Sequence, residues 1–276
     1  MKLIDYHMHT RFSPDSEANP DDMCAAALKM GISSIAITDH KDFFCPDALL
    51  PKDDSPDEMP ARKSTLLALR DKYRGKLDIA YGVEVGQALH NKEASDKFMR
   101  ENEFDFVLGS IHHIFMGEDF FYVKFTFENS HIYQSKYYAE MVEFSQKGDF
   151  DILAHLNYPD RYLYKRLGGV SSENLHDVRN YREEVRQILK NVISRGKGIE
   201  INTAEMRQEI KTAFLPEFIL RDYRELGGEF ITIGSDAHRA EHCGFYVKES
   251  AERLASLGFK YLTTYADRKP TQNLIL

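Results

Sequence analysis

The chain has 276 residues, no tryptophan, nine prolines and only three cysteines. Cys24, Cys45 and Cys243 are far apart, odd in number and form no CxxC pair. That excludes a disulfide framework and a cysteine-rich structural zinc site, and favours a reducing compartment. Long apolar runs are missing too: none approaches the ~20 residues that span a bilayer. Met1-Lys2-Leu3-Ile4-Asp5 meets a charge at once, which breaks a signal-peptide pattern. A cytoplasmic protein without a membrane partner is expected. Basic residues are outnumbered, 36 against 44 acidic, for a formal net charge of -8. This balance argues against a protein that wraps nucleic acid or coats anionic membranes. A small phosphorylated ligand stays open, because bound cations reverse the local field. Repeats and long low-complexity linkers are absent. Apolar residues at 42% suffice for a sizeable core, and the length suits one domain over 1–276.

What is present is an alternation. Strand-type runs fall at Lys2–His9, Ser33–His40, Leu77–Val85, Phe104–His112, Phe150–Asn157, Gly198–Thr203 and Phe230–Ser235. Most are near-continuous apolar runs, as in a parallel sheet covered on both faces. Between them, Asn19 is placed to cap a helix that opens with Pro20, Asp21 and Asp22 and stops at Gly31. Arg182–Arg195 puts Val185, Ile188, Leu189, Val192 and Ile193 on one face before Gly196. Tyr133–Lys147, Pro216–Leu226 and Lys248–Leu257 also read as helices. Strand then helix, about seven times, predicts a parallel α/β architecture, most simply a barrel. The exception is 43–62, an irregular stretch with four prolines, read either as a lid or binding loop or as a solvated insertion.

Eleven histidines stand in this acidic chain. His7, His9, His40, His112, His155 and His238 fall at or just beyond predicted strand C-termini, where parallel α/β folds build their sites. His131 and His176 read as surface residues, and His90 and His242 as loop residues. In His7-Met8-His9, residues two apart share a strand face, so both imidazoles reach one ion while Met8 packs behind. Asp236-Ala237-His238 repeats the spacing with a carboxylate. Glu84 ends another strand and can bridge two ions. Asp15 follows His9 in a polar turn. Those six imidazoles and three carboxylates exceed the three or four ligands of a single zinc-type ion. Two or three divalent ions (Mn, Zn or Fe) are expected. A lone strand-end histidine is more often a packed or hydrogen-bonded one, but so many buried titratable groups without metal would leave costly unsatisfied atoms.

The ordered set Asp5-Tyr6-His7-Met8-His9-Thr10, Ile37-Thr38-Asp39-His40, Glu84, Ser110-Ile111-His112, His155 and Ser235-Asp236-Ala237-His238 resembles the polymerase and histidinol phosphatase (PHP) superfamily. The resemblance implies a distorted (β/α)7 TIM-like barrel with its metal centre at the strand C-termini. It assigns His7, His9, Glu84 and Asp236 to one ion, with Glu84 bridging to a second completed by His112 and His155. Asp15, His40 and His238 would hold a third. Aspartate at 15 departs from members that use histidine there. Gly109-Ser110-Ile111-His112-His113 and Gly198-Ile199-Glu200-Ile201-Asn202-Thr203, with the overall length, look most like the histidinol-phosphate phosphatases of that superfamily.

The chemistry this implies is hydrolysis of the phosphomonoester L-histidinol phosphate by in-line attack of a metal-bridging hydroxide. Glu84, Asp236 and His238 are the catalytic candidates, and Asp236, His238 or a water on a metal would protonate the leaving group. Arg161 and Arg207, just beyond strand ends, are candidate phosphate clamps, because a planar guanidinium binds two oxygens; Lys165 and Arg166 read as solvated. His113 is a candidate to touch substrate or steady the site. Phe115, Phe120 and Tyr122 could flank an imidazole, though most aromatics should be core. Two alternatives are a PHP-type phosphoesterase acting on nucleotides or nucleic-acid 3′ ends, and a non-catalytic metal-binding module. The first should show an extended basic track; the second usually loses ligands. Oligomeric state is not readable from these residues.

Overall fold

The structure, a computed structural model, describes residues 2–45, 58–167, 178–207 and 215–275, without the side chains of residues 164–166. The irregular stretch read over 43–62 therefore lies partly outside the described residues, as do His176 and the side chains of Lys165 and Arg166.

The strands β1 (Leu3–Asp5), β2 (Ile32–Ile37), β3 (His40–Asp42), β4 (Asp78–Gly86), β5 (Phe106–Ser110), β6 (Ile152–Leu153), β7 (Gly198–Asn202) and β8 (Ile231–Gly234) form one parallel sheet in the order β1-β2-β4-β5-β6-β7-β8. β2 and β3 pair with β4 in one unbroken register, Ile37 opposite Tyr81 and His40 opposite Glu84, so they share a single stave. The Tyr6 amide donates to the Ile233 carbonyl and the His9 amide to Ala237, both at 2.8 Å, which joins the last strand to the first. The result is the distorted seven-stave (β/α) barrel that the motifs implied. β5, β7 and β8 are buried along their whole length, which accounts for their continuous apolar sequence.

Helices follow most staves: α1 (Pro20–Lys29), α2 (Met59–Lys72), α3 (Lys92–Glu101), α4 (Phe127–Lys147), α5 (Tyr158–Leu167), α6 (Arg182–Ser194), α7 (Glu217–Glu225) and α8 (Val247–Ser256). Asn19 caps α1 by accepting from the Asp21 amide, as its sequence requires. α6 buries Val185, Ile188, Leu189 and Val192 as expected. α4 starts at Phe127, not near Tyr133. Thr126 accepts from the Asn129 amide while the Asn129 side chain accepts from Thr126, a capping box without the usual Glu or Gln. α2 carries little apolar periodicity, and α2, α3 and α5 all lie outside the helices read from the sequence. His131 lies exposed on α4. His90 and His242, read as loop residues, lie on short 3-10 turns, Ala88–Asn91 and Ala240–His242.

A hairpin also went unread: β9 (Tyr261–Ala266) pairs antiparallel with β10 (Lys269–Leu274). Its turn residues Asp267 and Arg268 both have positive φ, 48° and 60°, the two-residue turn that usually selects Asn-Gly. Here tertiary ion pairs hold it. Arg268 reaches Asp149 at 2.7 Å and Asp151 at 3.1 Å, just ahead of β6, so the hairpin sits at the strand N-termini.

Candidate functional site

At the opposite end, the chain beyond β1 stays extended and bridges Met8 to Ala237. Alternation turns Met8 into the core and sends His7 and His9 to the other side, with Nε2 atoms 3.0 Å apart. At Gly234 on β8 a side chain would collide with the His7 Cβ and the Glu200 carboxylate, so glycine permits that close approach. Two residues on, Asp236 holds a left-handed φ of 53°, a strained conformation of the kind found at functional sites. Its amide donates to the His7 carbonyl at 2.7 Å.

Glu84, fully buried on β4, is the hub. Its Oε1 lies 3.0 Å from His112 Nε2 and 3.0 Å from His155 Nε2. Its Oε2 lies 3.0 Å from His7 Nε2, 3.2 Å from His40 Nδ1 and 3.4 Å from His9 Nε2. Asp236 Oδ1 faces His9 at 3.5 Å, His238 at 3.6 Å and His7 at 3.7 Å. Asp15 Oδ2 lies 2.9 Å from His238 and 3.5 Å from His40. All nine sequence-selected residues thus converge, in overlapping groups: His9-Asp15-His40-His238, His7-His9-Asp236, His7-Glu84-His155 and His40-Glu84-His112.

Outer contacts fix the ring orientations. His7 Nδ1 pairs with Glu200 Oε1 at 2.6 Å, and His9 Nδ1 with the Ser13 hydroxyl at 3.0 Å, leaving both Nε2 atoms inward. Asn202 Nδ2 lies 3.3 Å from Glu200 and 3.3 Å from Asp236. Asp39, ion-paired with buried Arg62, accepts from the Thr10 hydroxyl. Glu200 and Asn202 came into view in sequence only as part of a motif. Their roles depend on β7 lying beside β8, which no local pattern states.

The electrostatics suit cations. Burial disfavours a charged His7, but Glu200, Glu84 and Asp236 outweigh it and raise its pKa well above the imidazole range. Burial, then His238 and His40, push His9 down to about 3. Burial opposes ionisation of Glu84, yet His7, His40 and His112 hold it well below the carboxylate range. Asp236 is likewise depressed, His7 and His9 overcoming burial. In the metal-free chain the carboxylates favour protons on His7, His40 and His112, and a bound cation would take the place of those protons. The buried Nδ1 atoms of His40 and His155 make no hydrogen bond. Imidazoles and ionised carboxylates converging this closely are the donor set of Zn, Mn or Fe ions, so the residues fit divalent metal.

The cluster forms the floor of a cavity of about 570 Å³. Arg161 and Arg207 both stand on its wall. Arg161 Nη1 donates to Asp236 Oδ2 at 3.3 Å, and Nη2 to the side-chain Oδ1 of Asn202 at 3.4 Å. Arg207 donates to the backbone carbonyls of Ser235 and Asp236. Beside Arg161, burial raises the Glu205 carboxyl to about 7, although the guanidinium pulls it down. His113 is not among the cavity-lining residues. It packs parallel to Phe44, ring centres 5.2 Å apart, and its Nδ1 donates to the Ile114 carbonyl at 3.2 Å. Tyr122 lines the cavity as expected, whereas Phe120 is core and Phe115 stacks edge-on against His90. Phe121, Tyr158, Tyr162, Asp42 and Asp119 line it without having been singled out.

A family model described as PHP domain matches residues 5–204. The chain is 29% identical over 279 aligned residues to the histidinol-phosphatase of Lactococcus lactis, covering 99% of this chain and 98% of that one. It is 30% identical over 263 residues to a probable histidinol-phosphatase of Clostridium acetobutylicum, covering 94% and 95%. The crystal structure of the Lactococcus lactis histidinol phosphate phosphatase, complexed with zinc, L-histidinol and phosphate, superposes with a TM-score of 0.81 at 26% identity, over 98% of this chain and 99% of that one. A putative histidinol phosphatase from Listeria monocytogenes shares the fold at a TM-score of 0.74 and 19% identity, over 88% and 98%. With a buried imidazole and carboxylate cluster at the strand C-termini and a family match over most of its length, the chain belongs to the PHP domain family.

Proposed function

We propose that this chain is a divalent-metal-dependent phosphomonoesterase that hydrolyses L-histidinol phosphate to L-histidinol and phosphate. One observation carries the reading. The two oxygens of Glu84 face two separate imidazole sets, and the same cavity presents Arg161 and Arg207. The zinc, L-histidinol and phosphate bound by the Lactococcus lactis relative supply the substrate class.

His7, His9, Glu84 and Asp236 would hold one ion, Glu84, His112 and His155 a second, and Asp15, His40 and His238 a third. Such ions supply Lewis acidity and neutralise negative charge on the phosphoryl group. The chain does the rest. Glu200 and Ser13 keep His7 and His9 oriented through their Nδ1 atoms. Arg161 presents a fork to phosphoryl oxygens, and Asp236, touching both Arg161 and the imidazoles, ties phosphate position to the cluster. Arg207 reinforces the strained Asp236 backbone by donating to its carbonyl at 3.0 Å. Asp236 and His238 both open to the cavity; Asp236 is held ionised, so the proton for the leaving alkoxide would come from His238 or from water. The three cysteines are unpaired, and a cytoplasmic setting belongs to the same reading.

The test is phosphate release by metal-replete protein from L-histidinol phosphate, AMP and a nucleic-acid 3′-phosphate. The expected result is a clear preference for L-histidinol phosphate, abolished by EDTA. Equal rates would overturn the substrate, and activity indifferent to EDTA would overturn the metal dependence.

A further inference from the structure

The cavity has a second half that the metal-type cluster does not use. Tyr158 packs at a tilt beside His155 and His112, ring centres 4.8 and 5.1 Å away. Its hydroxyl meets that of Tyr162 at 2.8 Å, and Tyr162 meets Phe121 edge-on at 6.2 Å. These rings step outward from the cluster, along the path an alcohol would take if its phosphate sat on the floor. Beside them on the cavity wall stands half-buried Asp119. Burial raises the Tyr158 phenol, with Tyr162 and then the Asp119 charge pushing the same way, so the carboxylate is close to the ladder.

Asp119 differs from the other carboxylates of the wall. Asp15, Asp42, Glu84 and Asp236 each face a histidine or arginine nitrogen within 4.0 Å. Asp119 faces none among the described residues; one oxygen accepts the Phe121 amide at 2.7 Å and shapes the turn. A carboxylate turned into a cavity, flanked by aromatic faces and lacking a counter-charge, is chemistry that takes an organic cation.

We propose that Asp119 recognises a protonated amine or azolium on the alcohol portion of the substrate, with Tyr162 and Phe121 flanking it. The inference rests on the phosphoester reading for the orientation of the ligand. It makes Asp119 the residue that selects cationic phosphate esters over neutral ones.

The test uses two ligands that cannot be hydrolysed, 3-aminopropylphosphonate and butylphosphonate, which differ in a terminal ammonium against a methyl. Calorimetry on metal-replete protein gives both Kd values. The amino compound is expected to bind about 10-fold tighter or better, the scale of one charge-assisted hydrogen bond. Asp119→Asn keeps an oxygen for the Phe121 amide and should shrink the ratio to near one. Glu118→Gln removes the exposed neighbouring charge and should leave the ratio within about twofold. No discrimination by the unmodified protein overturns the proposal. So does equal weakening of both ligands by Asp119→Asn, which marks a structural role, or an equal loss from Glu118→Gln, which marks a diffuse field. Phosphate release from L-histidinol phosphate tests the hydrolytic reading separately, because neither phosphonate is turned over.

Discussion

The two ends of the barrel treat buried charge in opposite ways. At the strand N-termini Asp105, Asp149 and Asp151 each have a basic partner. Asp151 accepts the Val107 amide at 2.9 Å, and Lys197 and Arg268 at 3.3 and 3.1 Å. Asp105 pairs with Arg70 and accepts the Tyr81 amide. Asp149 is held below the carboxylate range by Arg268 against the opposing effect of burial. At the strand C-termini, imidazole faces imidazole and carboxylate oxygens face several rings at once, and the buried Nδ1 of His155 makes no hydrogen bond. The first arrangement is complete by itself and stabilises the fold. The second is completed by ions from outside, which is what a site for chemistry requires.

The largest expected effect breaks the C-terminal end. Glu84→Gln keeps the shape but removes the charge shared between imidazole sets. Phosphate release should fall at least about 10³-fold, with secondary structure by circular dichroism preserved. Near-full activity would mean that the convergence on Glu84 is not the centre of the chemistry.

Next comes a cut at the other end. Arg268→Ala leaves Asp149 and Asp151 without their main cation. Because the pair is partly exposed, the loss should be about 2 kcal/mol, between surface and buried cases. That lowers Tm by several degrees while kcat/KM stays within about twofold of the unmodified value. Lost activity in a folded variant would erase the division between the ends.

The smallest effect sharpens the comparison. Burial lowers the pKa of His40, but Glu84 and Asp15 outweigh it and lift it to about 9. Below that value the metal-free chain carries a proton on His40 that must leave before the ring binds metal. Loading at about pH 7.5 should therefore release protons, and apparent affinity should climb as the pH rises toward about 9. Calorimetry in buffers of different ionisation enthalpy reads this directly. Metal uptake without proton release would remove His40 from the ligand set.

The readable and unreadable parts divide along physical lines. Strand ends and the two-residue period are local properties, so His7-Met8-His9, Asp236-Ala237-His238 and the terminal histidines of other strands could be found without a structure. The hairpin could not, because its Asp267-Arg268 turn has no local signature and is held by aspartates more than 100 residues away in sequence. α3 and α5 are ten-residue, largely polar helices, too short to hold alone in water, so their form rests on docking in the fold. His113 sits next to a site residue in sequence, yet the same alternation that delivers His112 turns it toward Phe44.

By itself, the sequence determined which side chains end the strands, and hence the donor types, the acidic balance and the α/β alternation. Only the tertiary structure decided how those donors share Glu84, that Glu200 and Ser13 orient the rings, that Arg161 meets Asp236, and that Asp119 faces the cavity with no partner among the described residues. Periodicity is a short-range consequence of backbone geometry. Which strand lies beside which, and what a side chain meets across a cavity, follows from closure of the barrel, and no segment carries that information alone.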